Sequence, residues 1–584
     1  MRSPMAENSE CIPTLRLLDR GGSAVEGDPI ARAAGMLRSG NVLAVKDPCG
    51  FHLICDAVST TAVRRLRQLL PRPYAPLAVM VANTETAERW CELDGHERSL
   101  LDDPIRPIVI LRQKPAQTAL RDIAPGLDTL GVRLPYAPHH HRLFAQGLAA
   151  LVYTGAGIAH DREAQNRFRC LVDGFLTHDQ PLERSMPETV LQPRNAGRMV
   201  LRPGRGLSPQ TFDLGQTAPD PILAVGTDNK NTVALVEGGR AVVSEQIGDL
   251  ADDAAFGRFK QVIAELTGSL KHPPRSIAAD LDGDGRAAQY ANQQLELEMI
   301  QVQHHHAHAV SCMVEHGLNE PLIAVVADGT GLGPDGTLWG GELLLAERAA
   351  FQRLGHLQYY RLPGGRTAAR QTFRPALALL HQVFGDQTLT HPVAAELCPD
   401  RRIRKAILDT IVRQIDSPPT SSLGRLFDAA AAITGLAGVN YHAAHGPMLL
   451  EAQANGRTDE TYGYELTRRD GLLILQPQKI IRQMAADVES ATDLSLIADR
   501  FHNAVAAMLA EATAVLANER NCRRVVLSGG CFANRCLSRR LRENLERSGL
   551  ECYEHREIPC SAEGISLGQA ACAAARRMAD MHDD

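Results

Sequence analysis

The sequence predicts an α/β protein of two domains, the second of them two-lobed. Two observations carry this reading. Helix-like and strand-like segments alternate through the first two hundred residues, and further on three apolar strands each run into a glycine turn. From 28 to about 205, helical patterns (PIARAAGMLRSG, STTAVRRLRQLL) alternate with short strands rich in β-branched residues (NVLAVK, LAVMVA, RPIVILR, LGVRLP, ALVYTG). A first domain is therefore expected over 21–206. The stretch 207–220 (LSPQTFDLGQTAPD) is turn-rich and aperiodic, which predicts a linker, with the second domain over 221–584.

Composition narrows the function classes. A chain of 584 residues with 44% hydrophobic content and a net charge of -6 folds around more than one core. Its 62 basic and 68 acidic side chains leave no global footprint for nucleic acid. The 13 cysteines contain no CxxC pair, which argues against a zinc finger and a secreted disulfide scaffold and fits a reducing cytoplasm. The opening MRSPMAENSECIP has no apolar signal core, and no run approaches the ~18 apolar residues of a membrane helix, so neither export nor membrane insertion is expected.

The second domain carries the chemistry. Its three strand-to-glycine openings are ILAVGTDNKNTVALV from Ile222, LIAVVADGTGLG from Leu322, and RRVVLSGGCFANR from Arg523. The first two read as a strand, a polar hairpin and a return. The third leads through Ser528-Gly529-Gly530 into a helix whose first N–H groups can face an anion. In the second, Asp328 ends a buried strand where Gly329, Thr330 and Gly331 let a phosphate approach the backbone. Just before it stands His304-His305-His306-Ala307-His308. His304 and His308 are four apart, so on a helix they share a face and can grip one metal ion, with a strand-end carboxylate completing the site. An HxxxH pair alone is more often a packed or solvated face; the glycine-framed Asp328 tips the reading toward a metal.

Together these segments resemble the HypF hydrogenase-maturation carbamoyltransferases over nearly the whole chain. The matching stretches are GFHLICDA, LGVRLPYAPHHH, DGFLTHD, IGDL, VQHHHAHA, DGTGLGPDGTLWGGE, SSLGRLFDA, LSGGCFANR and GISLGQA. The resemblance implies a YrdC-like α/β domain followed by a Kae1-like domain of the actin/Hsp70 nucleotide-binding type. It implies that ATP and carbamate from carbamoyl phosphate give carbamoyl-adenylate in the first domain. The carbamoyl group then passes through the second to the C-terminal cysteine of a HypE-type acceptor. Residue by residue, it makes His304, His308 and Asp328 the ligands of one divalent metal, with iron, zinc and magnesium all open. It places Gly329, Thr330, Gly331, Asp428, Gly529, Gly530 and Asn534 at the nucleotide. Lys46, His52, Arg133, Arg184 and Arg205 are then expected to hold phosphate or carbamoyl-adenylate. Asp428, read without the resemblance, is a helix-face carboxylate with no ligand.

The chain also departs from the family. The family begins with an acylphosphatase domain and paired zinc fingers; here Cys11-Ile12-Pro13 matches only the end of that region, so 1–20 reads as a remnant and a separate acylphosphatase is an expected partner. A phosphate-binding lysine is replaced by Ala75, with Arg72 the remaining cation there. The family's Thr-Ser-Gly-Asn becomes Thr154-Gly155-Ala156-Gly157, and its Asp-Asp-Ser becomes Pro187-Glu188-Thr189. Ala562 stands where a carboxylate is expected, with Glu563 beside it; His442 and His445 are substitute ligands or polar surface; Arg366 reverses an acidic position. Three readings follow: a shortened carbamoyltransferase, a nucleotide-binding regulatory paralogue with a decayed first domain, and a tRNA threonylcarbamoyl enzyme. The last is disfavoured because no basic stripe interleaved with aromatics is present.

Overall fold

The computed structural model describes residues 14–70, 74–114, 121–155, 157–182, 185–195 and 197–583. Arg72, Ala156, Arg184 and the segment around Cys11 lie outside the described residues. The chain divides into two compact units that meet in sequence between Ser208 and Pro209.

The first unit is built on one ten-stranded mixed sheet. At its centre, Leu43–Asp47, Gly50–Asp56, Ala150–Gly155, Ala78–Val81 and Thr129–Arg133 lie side by side in that order. Side-chain alternation explains why these strands read as continuous apolar runs. Leu43 and Val45 pack on one face with Ala33, Leu37 and Leu176, while Ala44 packs on the other with Phe51, Leu53 and Val79. Lys46 and Asp47 end this doubly buried strand, so they too are drawn inside, at 3% and 0% exposure. The turn to the next strand depends on Gly50, at φ +114°, where a Cβ would sit 2.6 Å from the Ile158 carbonyl oxygen.

The second unit holds two sheets. A six-stranded sheet contains Ile222–Ala224, Ala234–Glu237, Arg240–Val243, Ser276–Asp280 and Glu298–Val302. Its remaining strand, Gln210–Asp213, corrects the expected linker: residues 210–213 pair antiparallel with Arg240–Val243. The aperiodic composition concealed it because this is a short edge strand with no fully buried face. In the other sheet, Leu322–Leu332 lies between Leu338–Ala346, antiparallel, and Arg524–Ser528, parallel.

Helices His304–Glu315 and Ile565–Asp583 share one core with both sheets, joining Ala307, Val310, Ala570 and Ala571 to Ala224, Ala324 and Val526. The two helices approach at Gly568, where an added Cβ would fall 1.9 Å from the Ala307 carbonyl oxygen. That atom is backbone and cannot swing aside. Gly568→Ala is expected to lower stability by roughly 1–3 kcal/mol through overpacking, read as a shift of the second unit's urea midpoint; an unchanged midpoint contradicts this contact.

Candidate functional site

Strand register builds the centre of the second unit. Val326 stands opposite Ser528 in the parallel pair, so two residues further on Asp328 meets Gly530, whose N–H donates to Asp328 Oδ1 at 3.0 Å. Gly529, at φ +101°, makes the turn; a Cβ there would lie 2.3 Å from the Ala327 carbonyl oxygen. The helix His304–Glu315 starts where it does because the Gln303 side chain caps the N–H groups of His305 and His306. Its 3.6-residue period then stacks His304 above His308, with ring centroids 5.0 Å apart.

Both imidazoles face Asp328. Its Oδ2 lies 3.4 Å from His304 Nε2 and 3.7 Å from His308 Nε2. The ligand atoms of the three residues all fall within 4.8 Å of one another. His304 Nδ1 is held at 2.6 Å by Asp280 Oδ2, which fixes the ring and leaves Nε2 for a ligand. His308 is 1% exposed, and neither of its nitrogens has a hydrogen-bond partner among the described residues. A buried ring nitrogen without a partner is rare in a packed interior, and a metal ion beside Asp328 would satisfy His308 Nε2, the nitrogen that faces the carboxylate. The residues present therefore fit a divalent metal held by His304, His308 and Asp328.

The three side chains also set one another's charge. Burial alone would raise the Asp328 carboxyl, but the two imidazoles outweigh it and hold the group well below the usual carboxylate range. Burial would likewise lower His304, yet Asp280 and Asp328 raise it to about 10, whereas burial prevails at His308 and lowers it.

The motif expected at the nucleotide serves this centre first. Ser528 Oγ donates to the His308 carbonyl at 2.7 Å and meets His555 Nε2 at 2.8 Å, tying the histidine helix to the strand. Gly529 N–H donates to the Cys560 carbonyl and Gly530 N–H to Asp328, so neither is free for an anion. Gly331 has no room for a Cβ, which would lie 2.8 Å from the His304 ring. Gly329 takes the Ser422 hydroxyl on its carbonyl, and Thr330 is exposed. The helix start after SGG is internally occupied as well: Asn534 Oδ1 accepts from Leu537 N–H at 2.9 Å and Glu451 Oε1 from Arg535 N–H at 2.8 Å. Asp428 is fully buried in helix Leu423–Ile433, facing Arg425 Nε at 2.6 Å and accepting from Asn440 Nδ2 at 2.8 Å.

The substituted positions also find places. Glu563 faces Lys230 Nζ at 3.6 Å, Gln246 Nε2 at 3.4 Å and the Ser561 hydroxyl, and it does not join the three-residue ligand group. His442 and His445 pack ring to ring, centroids 4.8 Å apart, outside the ligand groups formed among the described residues. Arg366 opens a short helix, Arg366–Arg370, and is itself exposed.

In the first unit, each described candidate cation meets an internal carboxylate. Lys46 Nζ donates to Asp161 Oδ2 at 2.6 Å. His52 presents Nδ1 to Asp47 Oδ2 at 3.1 Å and Nε2 to Glu188 Oε1 at 3.5 Å. Arg133 NH1 lies 2.5 Å from Glu188 Oε1, and Arg205 Nε lies 3.4 Å from Glu188 Oε2. Both guanidiniums stack on Tyr136, 4.1 and 4.0 Å from the ring centroid, and the Tyr136 and Tyr153 hydroxyls donate to Asp47. Burial would raise Glu188, but Arg133 and His52 hold it well below the usual range. Ala75 now only offers its carbonyl to Arg67, and Gly157 sits at φ +69°.

Asp280, Ser528 as a tether, Tyr136 and Glu188 as a hub were missed at the sequence level. Asp280 alone had a readable signal: it ends an apolar strand, SIAAD.

Two outcomes are expected. Asp280→Asn weakens divalent-metal affinity roughly 10–100-fold in a chelator competition, while His308→Ala abolishes stoichiometric binding; equal affinity for all three proteins contradicts the centre. Burial would lower His52, but Asp47 and Glu188 raise it from 6.5 to about 9. A raised folded-state pKa stabilises fully below the unfolded value and is lost as pH climbs through the folded one. The first unit should therefore lose stability between pH 6.5 and 9, and His52→Gln should flatten that loss in thermal melts across the window.

Comparison with known proteins agrees with this architecture. Residues 324–569 match the family "Carbamoyltransferase, Kae1-like Domain, second subdomain", 217–315 match "HypF Kae1-like domain", and 35–204 match the Sua5/YciO/YrdC family described as "Telomere recombination". The carbamoyltransferase HypF of Synechocystis sp. is 33% identical over 557 residues, covering 92% of this chain and 72% of the relative. That of Rhizobium leguminosarum bv. viciae is 35% identical over 558 residues, covering 93% and 72%. Among solved structures, full-length HypF in its phosphate- and nucleotide-bound form superposes with a TM-score of 0.91 at 34% identity, covering 97% of this chain and 74% of that one. HypF of T. kodakarensis gives 0.90 at 28% identity, covering 98% and 76%. No helix among the described residues is long and apolar enough to cross a membrane. With a YrdC-like unit and a Kae1-like unit in the family's order, this chain belongs to the HypF carbamoyltransferases and is an enzyme of that type.

Proposed function

We propose that the chain acts in [NiFe]-hydrogenase maturation, transferring carbamoyl from carbamoyl-adenylate to the C-terminal cysteine of a HypE-type acceptor at the second unit. The observation that carries this reading is the grouping of buried His304 and His308 with half-buried Asp328, with His308 Nε2 unpartnered among the described residues and Asp280 behind His304. Imidazole donors favour iron or zinc over magnesium there. A divalent cation so held supplies Lewis acidity for a phosphate or carbonyl oxygen. The chain's own residues fix the geometry: Gly530 orients Asp328, Asp280 orients His304, and Ser528 holds the backbone of His308. In the transfer, the acceptor sulfur forms a bond to the carbamoyl carbon, the carbon–oxygen bond to the phosphate of AMP breaks, and the thiol proton leaves to solvent.

A second reading concerns the supply of adenylate. In full relatives it is expected to form from ATP and carbamoyl phosphate or carbamate in the YrdC-like unit. Here Lys46, His52, Arg133 and Arg205 are all engaged by internal carboxylates, which favours a paralogue that receives its adenylate from another protein. Two assays separate the readings. Given carbamoyl-adenylate and a HypE-type acceptor, the metal-loaded chain should carbamoylate the terminal cysteine, seen by mass spectrometry, and His308→Ala should not. Given only ATP and carbamoyl phosphate, with added acylphosphatase, it should exchange no pyrophosphate into ATP. Failure to carbamoylate from supplied adenylate overturns the transferase reading; robust exchange restores the self-sufficient enzyme.

A further inference from the structure

We infer that the first unit contains a buried seat for a small oxyanion and that this chain fills it permanently with its own Glu188 carboxylate. This makes Glu188 the residue that excludes a diphosphate or triphosphate. The inference holds whichever acceptor the second unit serves.

The seat is defined by donors converging on one carboxylate. Glu188 Oε1 faces Arg133 NH1 at 2.5 Å, His52 Nε2 at 3.5 Å and the Tyr136 hydroxyl at 3.0 Å, and Oε2 faces Arg205 Nε at 3.4 Å. Two guanidiniums and an imidazole around a two-oxygen anion, with the Tyr136 oxygen alongside and its proton turned to Asp47, form a constellation that recognises a carboxylate or one face of a phosphate. The guanidiniums are themselves aimed: both reach the Arg106 carbonyl, at 3.3 Å from Arg133 NH2 and 2.9 Å from Arg205 NH2, and Arg106 presents it from a left-handed backbone at φ +47°. A metal does not suit this place. His52 turns one nitrogen to each carboxylate, and a cation at Glu188 Oε1 would abut the Arg133 guanidinium.

Glu188 cannot readily withdraw. Its carbonyl accepts from Arg202 Nε at 2.9 Å. On one side the Pro187 carbonyl accepts Arg205 N–H at 2.9 Å, and on the other the Thr189 hydroxyl donates to the Arg205 carbonyl at 2.9 Å. Gly204 presses on the same strand, where a Cβ would lie 2.2 Å from the Pro187 oxygen. The side chain is 7% exposed. A phosphate entering this seat would meet a fixed like charge at contact distance, at a cost well above its gain from the same donors.

The test is hydrogen–deuterium exchange of the full chain titrated with pyrophosphate, reading peptides from 129–136 and 186–194 so that any binding to the second unit does not register. Wild type should show no ligand-dependent protection in these peptides at millimolar pyrophosphate. Glu188→Gln, which removes the charge, and Glu188→Ser, which also opens the space, should gain protection, with Glu188→Ser binding roughly tenfold or more tighter than wild type. Protection of wild type equal to that of the variants overturns the proposal, as does the absence of any gain in folded variants. Should neither variant fold, the wild-type titration decides alone: protection overturns a resident carboxylate and its absence upholds it.

Discussion

A carboxylate buried in a protein must be neutralised or it will not stay ionised, and the second unit is organised around that requirement at Asp328. One oxygen takes the Gly530 N–H and the other faces two imidazoles. Each of these depends on a further constraint. The Gly530 contact needs a parallel strand in one register only, and the imidazoles need a helix that begins at His304 and lies against Gly568. Gly331 and Gly529 are glycines because His304 and the Ala327 backbone occupy the space that a side chain would take. A one-residue slip anywhere in this set leaves a buried charge without a partner.

The two units treat their charges in opposite ways. In the second, a carboxylate is oriented by backbone, and His308 Nε2, which faces it, has no hydrogen-bond partner among the described residues. In the first, the family-matching cations Lys46, His52, Arg133 and Arg205 already hold carboxylates from Asp161, Asp47 and Glu188. The contrast bears on ligand binding rather than on folding.

Much of this was legible in the sequence because it rests on period and punctuation. The HxxxH spacing placed two imidazoles on one helix face, whereas Asp328, read as a strand end, lies inside strand Leu322–Leu332 where its pairing with Leu338–Ala346 shifts register. The glycines at 329, 331, 529 and 530 were visible as signals, but their meaning was not. Glycine announces that something comes close, without saying whether it is a phosphate or another part of the chain; here Gly331 makes room for His304 and Gly529 for Ala327. Long-range partners were illegible for the same reason. Asp280 is twenty-four residues from His304, and Glu188 is fifty-five from Arg133; no local pattern links them. Strand Gln210–Asp213 escaped notice because a short edge strand has neither a continuous apolar run nor a clean alternation.

Anomalous diffraction from crystals of the purified, metal-loaded chain tests the central claim most directly. The account predicts one strong peak within coordination distance, near 2.0–2.2 Å, of His304 Nε2, His308 Nε2 and an Asp328 oxygen. A folded chain that carries no metal at these three side chains, or holds its ion elsewhere, would contradict it.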